Sequence, residues 1–412
     1  MQLDETTTKR HHQVHTATNI DSVIDQIRDS VGSVETARTL PPECYTQDAF
    51  YEFERDAIFG HSWLYLCHQS EIPNAGDYMS VTMANEPLIV TRDKDMSVHA
   101  LSAICRHRSF PVELGDGNAK FLRCPYHSWT YGLDGRLIGA PDMAPGHTLA
   151  DLRSNTCLPS FQVEIWNGFI FANFDSNAPP LAPTLCRLNS ELESYHLDEL
   201  VVARTVVLRD LPWNWKNMLE NALDAYHTSY IHKGYHEQAP ARLVQFVEFL
   251  PDDNAVLRFA PLLKPGGGFL NEDGTAAFPI LPGVGEEQLG RILYASVPPA
   301  LFMSVKPDNA MIFRVAPESA GSITLTATWL FAAATIEMPE FEELMKRQLN
   351  FFDIVNGQDM EANARTYEGL NSRFAVRGPY SGQESSLPQF NEWLYRCYLA
   401  HSPNGTKAKR DG

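Results

Sequence analysis

Long apolar runs are absent from this 412-residue chain. None reaches the roughly 18 residues of a membrane span. The longest, Ile323 to Ile336, carries four threonines and alternates enough to read as a buried strand. Met1 to Arg10 is polar and charged and lacks the apolar segment of a secretory signal, so a cytoplasmic protein is expected. Positive charge is scarce too: 33 Lys and Arg against 51 Asp and Glu leave a net charge of −18, which argues against nucleic acid and anionic membranes as partners. No Gly-x-Gly-x-x-Gly fingerprint stands at a strand-to-helix turn, so NADH oxidation is expected on another protein. Cysteine is sparse, with seven in all. Cys44, Cys67, Cys157, Cys186 and Cys397 are scattered and odd in number, as reduced core thiols are and a disulfide framework is not.

The other two cysteines are not scattered. Cys105-Arg-His107 and Cys124-Pro-Tyr-His127 form two short Cys/His pairs, separated by a loop with Gly115, Asp116 and Gly117. Sulfur and imidazole donors select transition metals over Mg or Ca. Two centres fit: a structural Cys2His2 zinc, or a [2Fe-2S] cluster with two Cys on one iron and two His on the other. Zinc modules usually open each pair with two Cys or two His, whereas here Cys and His alternate in both. With Arg108 after the first His, Pro125-Tyr126 inside the second pair and Ser128-Trp129-Thr130-Tyr131 behind it, the pattern resembles the Rieske motif. Arg106, Arg108, Lys120, Arg123 and Arg136 cluster around it against the acidic trend, either as a docking face for an acidic electron-transfer protein or as an ordinary solvated loop.

A second concentration of metal-capable residues is Glu220-Asn221-Ala-Leu-Asp224-Ala-Tyr226-His227-Thr-Ser-Tyr230-Ile-His232. His227 and His232, five apart, would lie about 140° apart on a regular helix. To grip one ion, the helix spanning Met218 to Tyr230 must end, unwind or bulge between them. Asp224, three before His227, shares its face and can orient that imidazole. Together with the first motif, Asn221, Asp224, His227 and His232 resemble the N-x2-D-x2-H-x4-H motif of the Rieske non-heme iron oxygenases, the ring-hydroxylating oxygenase alpha-subunit family.

That resemblance implies a mononuclear iron(II) held by two His and one carboxylate. On the last predicted helix, Pro339 to about Tyr367, Phe341, Met345, Gln348, Phe352, Val355 and Asp359 fall on one stripe. A carboxylate on an otherwise core-facing stripe is costly unless paired or metal-bound, so Asp359 is the expected third ligand and Glu361 its rival. Gln358 departs from the family's Glu. By resemblance, Asp224 bridges an iron-ligand His and a cluster His of the neighbouring subunit, here His127, in a head-to-tail homotrimer with or without a small beta subunit.

The expected fold class is α+β: an antiparallel β Rieske [2Fe-2S] domain inserted into a helix-grip (START/SRPBCC-like) catalytic domain. Short strands from Trp63 to Phe174 delimit the first, over residues 63–174. The catalytic domain takes 41–62 and 175–412, with a meander of strands at Ala300 to Val305, Met311 to Ala316 and Ser322 to Ala332. Residues 1–40, including His11, His12 and His15, read as a mobile arm, 261–290 as a loop over the substrate site, and the last dozen residues as a frayed tail.

The implied activity is that of a terminal oxygenase. It would use O2 and electrons from NAD(P)H, through a separate reductase or ferredoxin, to hydroxylate or oxidatively dealkylate a small, aromatic organic substrate. A cis-dihydroxylating ring dioxygenase is the alternative within the family; an electron-transfer protein and a zinc-binding protein are the alternatives outside it. Leu219, Leu223, Phe302, Met303, Phe313, Phe351 and Phe352 are the candidate pocket residues.

Overall fold

The computed structural model describes residues 19–112, 115–232, 239–266 and 276–402. The apolar and alternating segments pair into two seven-stranded antiparallel sheets and one of three strands. The first sheet runs in the order Leu64–His68, Phe169–Asn173, Ser160–Trp166, Val98–Ser102, Glu86–Arg92, Asp77–Met83 and Asp116–Asn118. The three-stranded sheet, Leu122–Arg123, Thr130–Tyr131 and Leu137–Gly139, lies beside it and carries Cys124 at its edge. The second large sheet runs Val201–Leu211, Ser322–Phe331, Ala310–Ser319, Leu301–Val305, Arg291–Val297, Val256–Pro261 and Gln245–Phe246. Every strand pair in it is antiparallel, and sequential strands from Arg291 to Phe331 are neighbours, so the expected meander is present.

Among the described helices are α1 (Ile20–Ile27), α2 (Asp48–Glu54), α3 (Trp215–Leu223), α4 (Thr228–Ile231), α5 (Phe341–Leu370) and α6 (Ser386–His401). The 30-residue α5 buries Phe341, Met345, Gln348 and Phe352 of the stripe predicted from spacing, together with Asn356 and Asn363. It lies along the sheet: Phe341 meets Phe331 at 5.3 Å between ring centroids, and Phe352 meets Trp329 at 4.9 Å and Phe313 at 6.2 Å. This helix therefore runs over the sheet from the Phe331 end toward Asp359.

A buried ion pair fastens α3 in place. Asn214 caps α3 by accepting from Lys216 N–H. The next charged group, Lys216, is fully buried with Glu54 at the end of α2, Nζ lying 2.7 and 2.9 Å from the two carboxylate oxygens. Glu54 also accepts from Trp215 Nε1 at 3.1 Å and from the Tyr398 hydroxyl of α6. One carboxylate thus joins three helices. Removing either charge alone would strand the other, at a cost of about 3–5 kcal/mol.

Three expectations need correction. The last helix is not α5, because α6 follows and buries Leu387, Phe390, Trp393, Leu394 and Tyr398. Only residues 403–412 of the expected tail lie outside the described residues. The arm is not loose from Ile20 onward: α1 buries Val23, Ile24 and Ile27 in the main core, while His11, His12 and His15 lie outside the described residues. The 261–290 loop is partly core, since Phe278 packs on Phe331 and Phe341 at 4.7 and 5.9 Å; its middle, 267–275, lies outside the described residues.

Candidate active site

Between α3 and α4 the backbone leaves the helix at Asp224, which adopts φ −70° and ψ 125°. The break thus precedes His227 rather than falling between the two histidines as expected. Asp224 accepts from Tyr226 N–H at 2.5 Å, which closes the turn locally. The single turn of α4 then spans His227 to His232, and the chain leaves helical geometry again at His232. Two breaks bring the imidazoles to one point: their Nε2 atoms are 3.2 Å apart.

Asp359 reaches the same point from α5. Its Oδ1 lies 3.4 Å from His227 Nε2 and 3.0 Å from His232 Nε2. These three form the one cluster of His, Cys, Asp or Glu, among the described residues, whose ligand atoms converge closely enough for a single ion. For bonds of about 2.1 Å, three ligand atoms at right angles lie about 3.0 Å apart. The triangle of 3.0, 3.2 and 3.4 Å matches a facial arrangement with the opposite positions open.

Each ligand atom is aimed from behind. Asp224 Oδ2 lies 3.0 Å from His227 Nδ1, and Gln358 Oε1 lies 2.8 Å from His232 Nδ1. With both Nδ1 atoms donating, both Nε2 lone pairs face the centre. Asn221 Nδ2 donates to Asp359 Oδ1 at 3.2 Å, which fixes that carboxylate. Burial opposes charge on His227, yet the carboxylates of Asp224 and Asp359 outweigh it and raise its pKa to about 9. Burial likewise opposes ionisation of Asp359, but the two imidazoles hold its pKa down to about 2. The centre therefore stabilises positive charge, as a cation site must. Glu361 is exposed and takes no part.

Gln358, which the sequence marks only as a departure from a family pattern, is a further member of this site. No local signal identifies it, because its role depends on where His232 arrives from α4. Gln358→Leu is expected to weaken iron binding about 10- to 100-fold, read by titrating iron(II) into iron-free protein, with Gln358→Glu close to wild type. Equal affinities for all three would remove the orienting role.

The first motif occupies two matching loops. In one, Cys105 N–H donates to Phe110 O at 2.9 Å and Ser109 N–H to Cys105 O at 3.0 Å; in the other, Cys124 N–H donates to Trp129 O at 2.8 Å and Ser128 N–H to Cys124 O at 3.0 Å. Ser109 and Ser128 both take left-handed backbone, φ 55° and 56°. The cysteines are buried and the histidines exposed, with His107 and His127 ring centroids 4.6 Å apart and His107 stacked on Trp129. Tyr131 accepts from Arg106 N–H at 3.1 Å and lies 3.3 Å from Cys105 Sγ, placed to donate to a thiolate, a role its sequence position does not reveal. The quartet does not converge on one point as the iron triad does. Zinc bonds of about 2.0–2.3 Å require such convergence; a cluster shared between two irons does not. Its donor set and spread fit [2Fe-2S].

A cavity of about 130 Å³ opens beside the triad. Of the expected pocket residues, Phe302, Phe313, Phe351 and Phe352 line it; Leu219, Leu223 and Met303 do not, being packed in the core. Arg258, Tyr294, Lys306, Trp329 and Gln348 also line it. No helix among the described residues is long and apolar enough to cross a membrane.

Comparison with known proteins gives the family. The family model described as "Ring hydroxylating alpha subunit (catalytic domain)" matches residues 192–400, and "Rieske [2Fe-2S] domain" matches 62–162. The chain is 26% identical over 398 residues to the glycine betaine monooxygenase oxygenase subunit of Pseudomonas aeruginosa, with 89% of this chain and 90% of that protein covered. It is 32% identical over 200 residues to the anthranilate 1,2-dioxygenase large subunit of Acinetobacter baylyi, 47% and 42% covered. A solved quaternary ammonium Rieske monooxygenase shares the fold with a TM-score of 0.75 at 22% identity, over 92% of this chain and 97% of that one. The chain thus belongs to the ring-hydroxylating oxygenase alpha-subunit family of Rieske terminal oxygenases, whose members carry a Rieske [2Fe-2S] cluster and a non-heme iron.

Proposed function

We propose that this oxygenase hydroxylates or oxidatively dealkylates a small organic substrate in the cavity beside His227, His232 and Asp359. These three hold the iron, while Cys105, His107, Cys124 and His127 hold the cluster. The observation that carries the reading is the triangle of Nε2, Nε2 and Oδ1 with both Nδ1 atoms engaged behind it. Bound iron would supply the redox chemistry of O2 activation, with electrons from a separate reductase or ferredoxin.

The chain's own residues do the rest. Asp224 orients His227, Gln358 orients His232 and Asn221 holds Asp359. The exposed His127 is the cluster's outward contact, and no hydrogen bond among the described residues joins it to Asp224 within one chain. A head-to-tail trimer would bring His127 of one subunit to Asp224 of the next. The domain division that fits is a Rieske unit, 63–174, set into a catalytic unit of 41–62 and 175–412.

For the substrate, the aromatic wall favours a methylated ammonium compound over the arene expected from the family resemblance. Tyr294, Phe302, Phe313 and Phe352 follow one another at 6.0–6.2 Å, and aromatic faces bind quaternary ammonium groups. A relative named for glycine betaine supports this reading; one named for anthranilate keeps ring dihydroxylation as the second. In the first reaction one oxygen atom enters an N-methyl C–H bond and the other becomes water, using two electrons and two protons; the carbon then leaves as formaldehyde. Turnover of glycine betaine with O2, NADH and a reductase tests it. Formaldehyde release is expected. A diol from an aromatic acid, with no formaldehyde from methylammonium compounds, would favour the second reading.

A further inference from the structure

The cavity has two chemically different ends. Across the second sheet, Arg258, Tyr294, Ser304, Met311 and Trp329 pair in register as one row, and all five line the cavity. Two residues along one direction lies the row of Phe302 and Phe313; two along the other lies Lys306, bonded through its N–H to Asn309 O. The α5 contacts orient this grid. Phe341 touches Phe331, at the Lys306 end of its strand, whereas Phe352 touches Trp329 and Phe313. Gln348 lies between Phe341 and Phe352 on α5, above the Lys306 and Trp329 rows. Asp359, eleven residues and three turns beyond Gln348, shares its face about 16 Å further along the helix.

The end away from Asp359 is rich in unengaged polar groups. Gln348 is only 3% exposed, yet neither its Nε2 nor its Oε1 has a hydrogen-bond partner. Trp329 is fully buried with its Nε1–H also unpartnered. Such groups cost about 1–3 kcal/mol each unless something completes them. The Lys306 ammonium makes no ion pair among the described residues; Asp308 is its electrostatic neighbour. The second cation of the lining, Arg258, stacks on Tyr294 at 4.1 Å and donates to Ala222 O at 3.1 Å, on the α3 side beside Asn221 rather than at this end. Apart from Asp359, no carboxylate among the described residues lines the cavity.

We propose that Lys306, with the Gln348 amide and the Trp329 indole N–H, forms an anion subsite that binds a carboxylate of the substrate and turns the opposite end of the molecule toward His227, His232 and Asp359. The substrate is therefore an organic acid, either a trimethylammonium carboxylate or an aromatic carboxylate. This deepens the oxygenase reading and rests on it. A cation lacking a carboxylate would bring no anion to the Lys306 ammonium.

Calorimetric titration of the iron- and cluster-loaded full chain tests the subsite with two pairs of probes: glycine betaine against choline, and benzoate against benzamide. At least one carboxylate should bind about tenfold or more tightly than its carboxylate-free counterpart, and the pair that discriminates identifies the source of the anion. Lys306→Met should collapse the ratio to about threefold or less, and Lys306→Arg should keep most of it. Gln348→Met, which removes no hydrogen bond within the protein, should weaken the carboxylate several-fold with no loss of folding. Equal affinities within both pairs, no binding of either carboxylate, or an unchanged ratio in Lys306→Met overturns the subsite. Iron content and the visible spectrum of the cluster, recorded on the same samples, separate that failure from a failure of the oxygenase reading.

Discussion

Asp359→Ala is expected to empty the mononuclear site and leave the cluster untouched. The side chain supplies the only carboxylate oxygen, among the described residues, within 3.0–3.4 Å of both Nε2 atoms, and its loss leaves two neutral donors where three converge. It also frees the Asn221 amide that now holds it. Loss of an orienting partner costs about 10- to 100-fold in metal affinity, and loss of a ligand should exceed the upper figure. Iron should fall from about three to about two per chain, product formation by more than roughly 100-fold, and the visible spectrum of the cluster should persist. Retained oxygenation would redirect the third-ligand role to Glu361, although that side chain is exposed and outside the triangle.

The second large effect is expected from Asp224→Ala. Asp224 touches no ligand atom of the triangle; it lies behind His227, at 3.0 Å from Nδ1, and it is the residue proposed to face His127 of a neighbouring subunit. With iron(II) supplied in excess to offset the weaker binding of an unoriented His227, both centres should be occupied while electrons cease to pass between them. With the cluster reduced in advance and O2 and substrate added, the reduced spectrum should persist, its reoxidation slowed about 100-fold or more. Reoxidation and product formation near the wild-type rate, with reductase in excess, would show that the electron takes another route.

These two residues also mark how much of the site is legible in the amino-acid sequence. The Cys/His pairs can be read because four soft and borderline donors at short alternating spacings have few other uses. Asp359 can be read because ionised carboxylates are costly on a core-facing stripe. His227 and His232 carry their own contradiction, five apart on an apparent helix; the spacing demands a break but does not place it at Asp224. That position depends on how α3 is held by Glu54 and Lys216, residues 162 apart in sequence. Gln358 is out of reach for a similar reason, its partner being on another helix.

Elsewhere the sequence carries signals of uneven strength. Leu387, Phe390, Leu394 and Tyr398 recur at helical spacing, and Ser385 and Ser386 precede them, so α6 has a pattern of its own that its nearness to the end of the chain obscures. The strands Arg291–Val297 and Val256–Pro261 are short, apolar and flanked by loop-like sequence, a pattern that does not separate strand from buried helix. Lys306 and Gln348 reveal themselves only when strand register and helix face are combined, because neither is unusual in its own segment.

Metal and sulfide analysis of the anaerobically purified protein, with its visible spectrum, tests the two-centre account most directly. About three irons and about two acid-labile sulfides per chain in a red-brown protein are the predicted result. Zinc without sulfide in a colourless protein would contradict it, and with it the roles given to both the quartet and the triangle.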